Sequence, residues 1–364
     1  MRRFLLVAAL LMLICPGALA EEPGEALLEQ AGISKLEDLS RELDGPDARA
    51  IARAVLSGEL PMGEDLPAVI LRRIGEALKR ALLPAISALA PPVLVTLALG
   101  MVLDGDSGPL ALLCRLSCVY SLARQCAAAM EVAKDGMYVA ARIADVVAPV
   151  VAAALTLTGR AASAATLTPL SAICADAIEN ALAGWGLPMC AVAAAIAAGG
   201  SLSDRFRLDR LFRLVCKAVT WGLGMLIGAF IGIMTLQGRL AAARDGASSQ
   251  ALRQALRGLV PLIGGSVSDA SGALAETALA VRSAVGVTGL LVVLGTAAGP
   301  ALRLGAHMLS LKLASALIEP VADPGITRIA AAYGEIARLL LALYAGSALL
   351  SALLAGAGLG LMGF

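Results

Sequence analysis

Aromatic side chains make up only 3% of the 364 residues, and the chain has a single histidine, His307. So few rings leave almost nothing for bases to stack on, and a formal net charge of +1 gives no pull on a polyanion. Nucleic acid is therefore not an expected partner. One His and seven Cys form no cluster with metal-ligand spacing, so neither a metal site nor a cofactor is expected. Cys15 falls in the apolar leader, and Cys114, Cys118, Cys126, Cys174, Cys190 and Cys216 fall in apolar helical runs. There they read as small packing residues, not as a disulfide framework. No nucleophile and base can be assembled from what is left, and the Gly-rich stretch LIGGSVSDASG (262–272) lacks the Lys of a phosphate loop. An enzyme is disfavoured.

Charge is scarce too, at 16%, against 59% hydrophobic residues and a mean hydropathy of +0.83. These values describe a polytopic membrane protein and predict an all-α helical bundle in the bilayer. Residues 1–20 have the order of a cleaved signal peptide: Arg2 and Arg3, an apolar core from Phe4 to Cys15, and small residues Ala18 and Ala20 before Glu21. Ile14 before Cys15 argues against lipidation there.

Residues 21–82 are the one sizeable polar segment, expected outside the cytoplasm. Leu27, Leu28, Ile33, Leu36 and Leu39 have helical spacing and predict two or three surface helices. After a turn-rich joint at 57–67, Ile70, Ile74, Leu78 and Leu82 share one face of a helix suited to the membrane interface. The multi-pass domain then fills 83–364. Its spanning candidates are Leu83–Leu103, Leu110–Met130, Ile143–Thr158, Ala165–Leu182, Leu187–Ala198, Lys217–Leu236, Val285–Leu302, His307–Val321 and Ile336–Met362. About seven crossings, within a range of six to nine, is the expectation from hydropathy.

Several of these runs carry charges that are costly in lipid: Arg115 and Arg124, Asp176 and Glu179, Lys312 and Glu319. Asp176 and Glu179 lie three apart on one helix face, either as a relay or, as the favoured reading, paired with Arg115 or Arg124 inside the bundle or set at a frayed helix end by Asn180 and Gly184. Gly224, Gly228 and Gly232 line a bare stripe on one helix, and Gly295 with Gly299 repeat the four-residue spacing, as helix-packing surfaces do. Between 237 and 283 the chain turns half-polar. Pro261, Gly264 and Gly265 there disfavour a continuous helix, while Ser268 and Asp269 read as caps for the helix that follows. Arg205, Arg207, Arg210 and Arg213 mark the best cytoplasmic loop, although Arg72, Arg73, Lys79 and Arg80 then sit on the outer side.

TLQG (235–238), Asp245 with Gly246, VPLIGG (260–265), SDA (268–270) and VGVTGLL (285–291), in this order, resemble the stage III sporulation protein AE family, as does the basic run ahead of Trp221. The resemblance runs nearly the full length. It implies a role in endospore formation: a component of a channel or secretion-like complex in the mother-cell membrane around the forespore. Its implied partners are the other stage III A proteins and stage III sporulation protein Q, and it would support forespore integrity and late forespore gene expression; assembly with further copies of the chain is an expectation beside the resemblance. No catalytic residues come with it. The runner-up reading is a secondary transporter with a re-entrant site around 237–283, which the lack of an internal repeat disfavours.

Overall fold

The computed structural model describes residues 23–43, 46–57, 108–202, 208–259, 264–319 and 324–357, with single positions at 75, 79 and 87. The leader, the interfacial helix and the candidate span Leu83–Leu103 lie outside the described residues, apart from those single positions. Every described element is a helix. Three short ones come first, α1 (Pro23–Gln30), α2 (Ile33–Glu42) and α3 (Ala48–Leu56). Then follow α4 (Gly108–Leu157), α5 (Ala161–Asp176), a π-helical segment (Ala177–Gly186), α6 (Leu187–Leu202), α7 (Asp209–Leu259), α8 (Gly264–Ile318) and α9 (Pro324–Ala357).

The short helices follow from local sequence. Gly32 takes a left-handed φ of 79° that lets the chain turn between α1 and α2, and the Asp47 carboxylate accepts the Arg49 and Ala50 amides at 3.1 Å to start α3. Leu28, Ile33, Leu36 and Leu39, all read from their spacing, are buried.

The long helices overturn part of the expected division. Leu110–Met130 and Ile143–Thr158 are one 50-residue helix, about 75 Å long at 1.5 Å per residue. The charged stretch between them does not break it, because Glu131, Lys134 and Asp135 face outward while Ala129, Ala133, Met137 and Ala140 keep a buried stripe at helical spacing. Val285–Leu302 and the run from His307 likewise fuse into α8 around Pro300. The irregular insert is corrected too: α7 continues to Leu259 and the backbone is helical again from Gly264, so Gly264, Gly265, Ser268 and Asp269 lie in the first turns of α8. Pro261 is outside the described residues. Gly costs an interior helix only about 1 kcal/mol relative to Ala, which the Ala-rich continuation absorbs.

Five helices among the described residues are long and apolar enough to cross a membrane: Leu116–Leu157, Ala161–Gly200, Asp209–Ala247, Thr277–Leu317 and Ile326–Ala357. They run alternately up and down, joined by short connections. α4, α8 and α9 form the centre, packed through Val147, Val151, Val285, Val292, Leu340, Leu350 and Leu354. α5, the π segment and α6 flank α4 and α9. Among the described residues α7 is outermost, resting on α5, α6 and α9 without substantial contact with α4 or α8. Burial follows this order: 61% of the most apolar window of the last helix is buried, against 17% for α7.

Candidate functional site

Four isolated glycines mark where helices approach most closely. A Cβ on Gly136 of α4 would lie 2.5 Å from the Tyr344 ring and 3.1 Å from Pro300, so α4, α8 and α9 meet there with no room for a methyl group. Gly222 of α7 faces the Trp185 ring at 2.6 Å by the same measure, Gly346 faces Leu223 at 2.7 Å and Gly186 faces Leu343 at 3.0 Å. Together these close approaches seat α7 and the π segment on α9.

The spaced glycines behave otherwise. A Cβ at Gly224, Gly228, Gly232 or Gly299 would meet nothing within 4 Å, and Gly295 meets Pro46 of the N-terminal segment, 2.9 Å from its ring, instead of a helix of the bundle. The stripe on α7 therefore points away from the rest of the described residues, flanked by Trp221 at 74% and Met225 at 65% exposure.

The charges expected inside the bundle are also outward. Arg124, Asp176, Glu179, Lys312 and Glu319 are exposed, and among the described residues no ion pair joins Asp176 or Glu179 to Arg124. Asp176 instead accepts a hydrogen bond from the Asn180 amide one turn on. The side chain of Arg115 lies outside the described residues, as do those of Ser268 and Asp269.

Buried polar groups tie the helices together. Asp245 of α7 reaches the start of α5, accepting the Ala162 amide at 2.8 Å, the Ser163 amide at 3.0 Å and the Ser163 hydroxyl at 2.6 Å. A buried carboxylate on a helix N-terminus satisfies orphan amides and meets the positive end of the helix dipole. Nothing in the spacing of the sequence points to this clamp; only the resemblance singles out Asp245, without a role. His307 Nδ1 lies 3.0 Å from Gln125 Oε1, linking α8 to α4. The Tyr344 hydroxyl donates to the Ala297 carbonyl at 2.9 Å, and Ser351 to that of Ala140 at 2.8 Å.

The N-terminal unit is joined to the bundle by charge. Arg142 of α4 makes a bidentate pair with Glu42, 2.8 and 3.0 Å, and this guanidinium holds the Glu42 carboxyl below the usual carboxylate range. Within the unit, Arg53 pairs with Glu25 at 2.6 Å, and Arg49 with Glu29 at 3.2 Å and Glu37 at 3.1 Å.

Among the described residues no group of His, Cys, Asp and Glu could hold a metal ion. What the geometry offers is packing: a helical bundle with the composition of a membrane protein, sparing in polar groups, whose least buried helix turns a bare glycine face outward. The profile of the family described as stage III sporulation protein AE matches residues 110–357, and the chain belongs to that family. A curated relative, stage III sporulation protein AE of Bacillus subtilis (strain 168), is 22% identical over 173 residues, covering 48% of this chain and 43% of its own length. The chain thus spans less than half of that relative in the match. No solved structure matches.

Proposed function

We propose that this protein is a membrane component of a channel or secretion-like complex that links the mother cell to the forespore, placed in the mother-cell membrane around the forespore. Membership of the stage III sporulation protein AE family carries this reading, because the match takes in all five long apolar helices. Its partners in this proposal are the other stage III A proteins, stage III sporulation protein Q and further copies of the chain. The outward glycine stripe on α7 supports assembly, since small residues let a foreign helix approach the backbone closely. The bundle holds its shape while α7 presents that face, and the protein acts by being packed into the complex, without catalysis of its own.

The test is deletion of the gene in a spore-forming host followed by complementation and affinity recovery from mother-cell membranes. Loss of spores, restoration by the intact gene and co-recovery of stage III A proteins are expected. Normal spore counts in the deletion strain would defeat the proposal.

A further inference from the structure

The polar N-terminal unit sits at the depth of the bundle where α8 and α9 are most apolar. Its contacts fix the level: Pro46 lies over Gly295, Gly32 over Val150, and Glu42 on Arg142. At the same level, a Cβ on Gly289 of α8 would touch Val147 and Ala355, and Ser351 bonds to the Ala140 carbonyl. This is where α8 runs without charge from Ser283 to Leu302 and α9 from Leu339 to Ala357. The unit itself carries six carboxylates and four cationic side chains within 23–43 and 46–57, paired mostly with one another and largely exposed. A bilayer around this level would have to hold those charges at membrane depth, which is costly.

We infer that the N-terminal unit, Pro23 to Ser57, is a displaceable cover on the α4–α8 side of the bundle. It is seated when that side is out of lipid and leaves it to acyl chains when the helices are embedded. Its internal ion pairs stay intact on leaving. What must part is the packing of α1, α2 and α3 on α4 and α8, where Ala31, Leu36, Ala48 and Ala52 belong to one continuous core with the bundle, together with the exposed Glu42–Arg142 pair; acyl chains take the place of that packing on α4 and α8. Exposed pairs contribute little, so Glu42–Arg142 guides seating more than it holds it. The inference rests on α4 and α8 crossing the membrane, and not on the assembly proposed above.

A cysteine pair reports the seat. The full-length Pro46→Cys, Gly295→Cys double variant, oxidised with copper phenanthroline, should form its disulfide readily in detergent micelles. In phosphatidylglycerol and phosphatidylethanolamine vesicles the rate should fall at least about tenfold, since a vacated seat leaves the two sulfurs far apart. Equal rates in the two media, or no disulfide in either, would overturn the inference. Protein extracted from the vesicles by alkali would overturn it as well, by removing the membrane reading beneath it. Unmodified protein supplies a second measurement: protease cleavage within 46–57 should be slow in detergent and fast in vesicles, and the same rate in both counts against displacement.

Discussion

At the scale of single residues, close packing and a few buried polar groups set the stability. Asp245 serves two amides and a hydroxyl at once, so Asp245→Ala strands them near the start of α5. The loss should be about 2–3 kcal/mol, from hydrogen bonds to a charged group and from the cap. Asp245→Asn keeps one acceptor oxygen and should lose less; thermal unfolding in detergent ranks the two. Gly136→Ala drives a methyl group into Tyr344 and should cost about 1–3 kcal/mol by overpacking. Tyr344→Leu in the same chain should recover part of that, and a double-mutant cycle reads the coupling. Glu42 gives a pH dependence. Its carboxyl is held low by Arg142 in the folded chain, so the pair's contribution is present above the ordinary carboxylate pKa and is lost as pH falls through the lowered one. The pair is exposed and contributes little, so in detergent the protease sensitivity of the N-terminal unit should rise only slightly on acidification below about pH 4.5, and Glu42→Gln should show that slight rise already at neutral pH.

At the scale of elements, what could be read from the sequence depended on whether a periodic pattern carried it. Leu28, Ile33, Leu36 and Leu39 were legible because one buried face at helical spacing made α1 and α2. The continuity of α4 was not, because average hydropathy dips over Glu131 to Arg142 even though Ala129, Ala133 and Met137 keep the buried stripe. The ten-residue π segment leaves no mark in composition, and neither do the isolated glycines at 136, 186, 222 and 346, whose importance comes from the rings and branched side chains opposite them. The regular glycine spacing on α7 was conspicuous but meets nothing among the described residues. Gly228→Leu should therefore leave monomer stability unchanged while abolishing recovery of partners. Unfolding temperature in detergent and co-purification from membranes measure the two separately, and intact recovery would show that this face looks at lipid.

At the scale of the whole molecule, the alternating direction of the long helices fixes which connections share a side. α4, α7 and α9 run one way, and the α5–α6 arm and α8 run the other, so the starts of α7 and α9 share one end while 158–160 and the start of α8 lie at the opposite end. Arg210 and Arg213 stand at the first end with Arg328, and Arg205 and Arg207 precede them in the sequence. The tendency of short basic connections to stay in the cytoplasm predicts that this end is the inner one. The start of α4 is also at the inner end. An N-terminal unit outside the cytoplasm would then require an odd number of crossings before Gly108, and the apolar run Leu83–Leu103 is the sequence's candidate for one. A reporter active only in the cytoplasm should accordingly be silent when fused after Gly63, active after Ser203 and Val321, and silent after Ile263 and Ala357. Activity after Gly63 together with silence after Ser203 would invert the whole arrangement, while activity at both would mean that Leu83–Leu103 does not cross and that the basic end alone fixes the orientation.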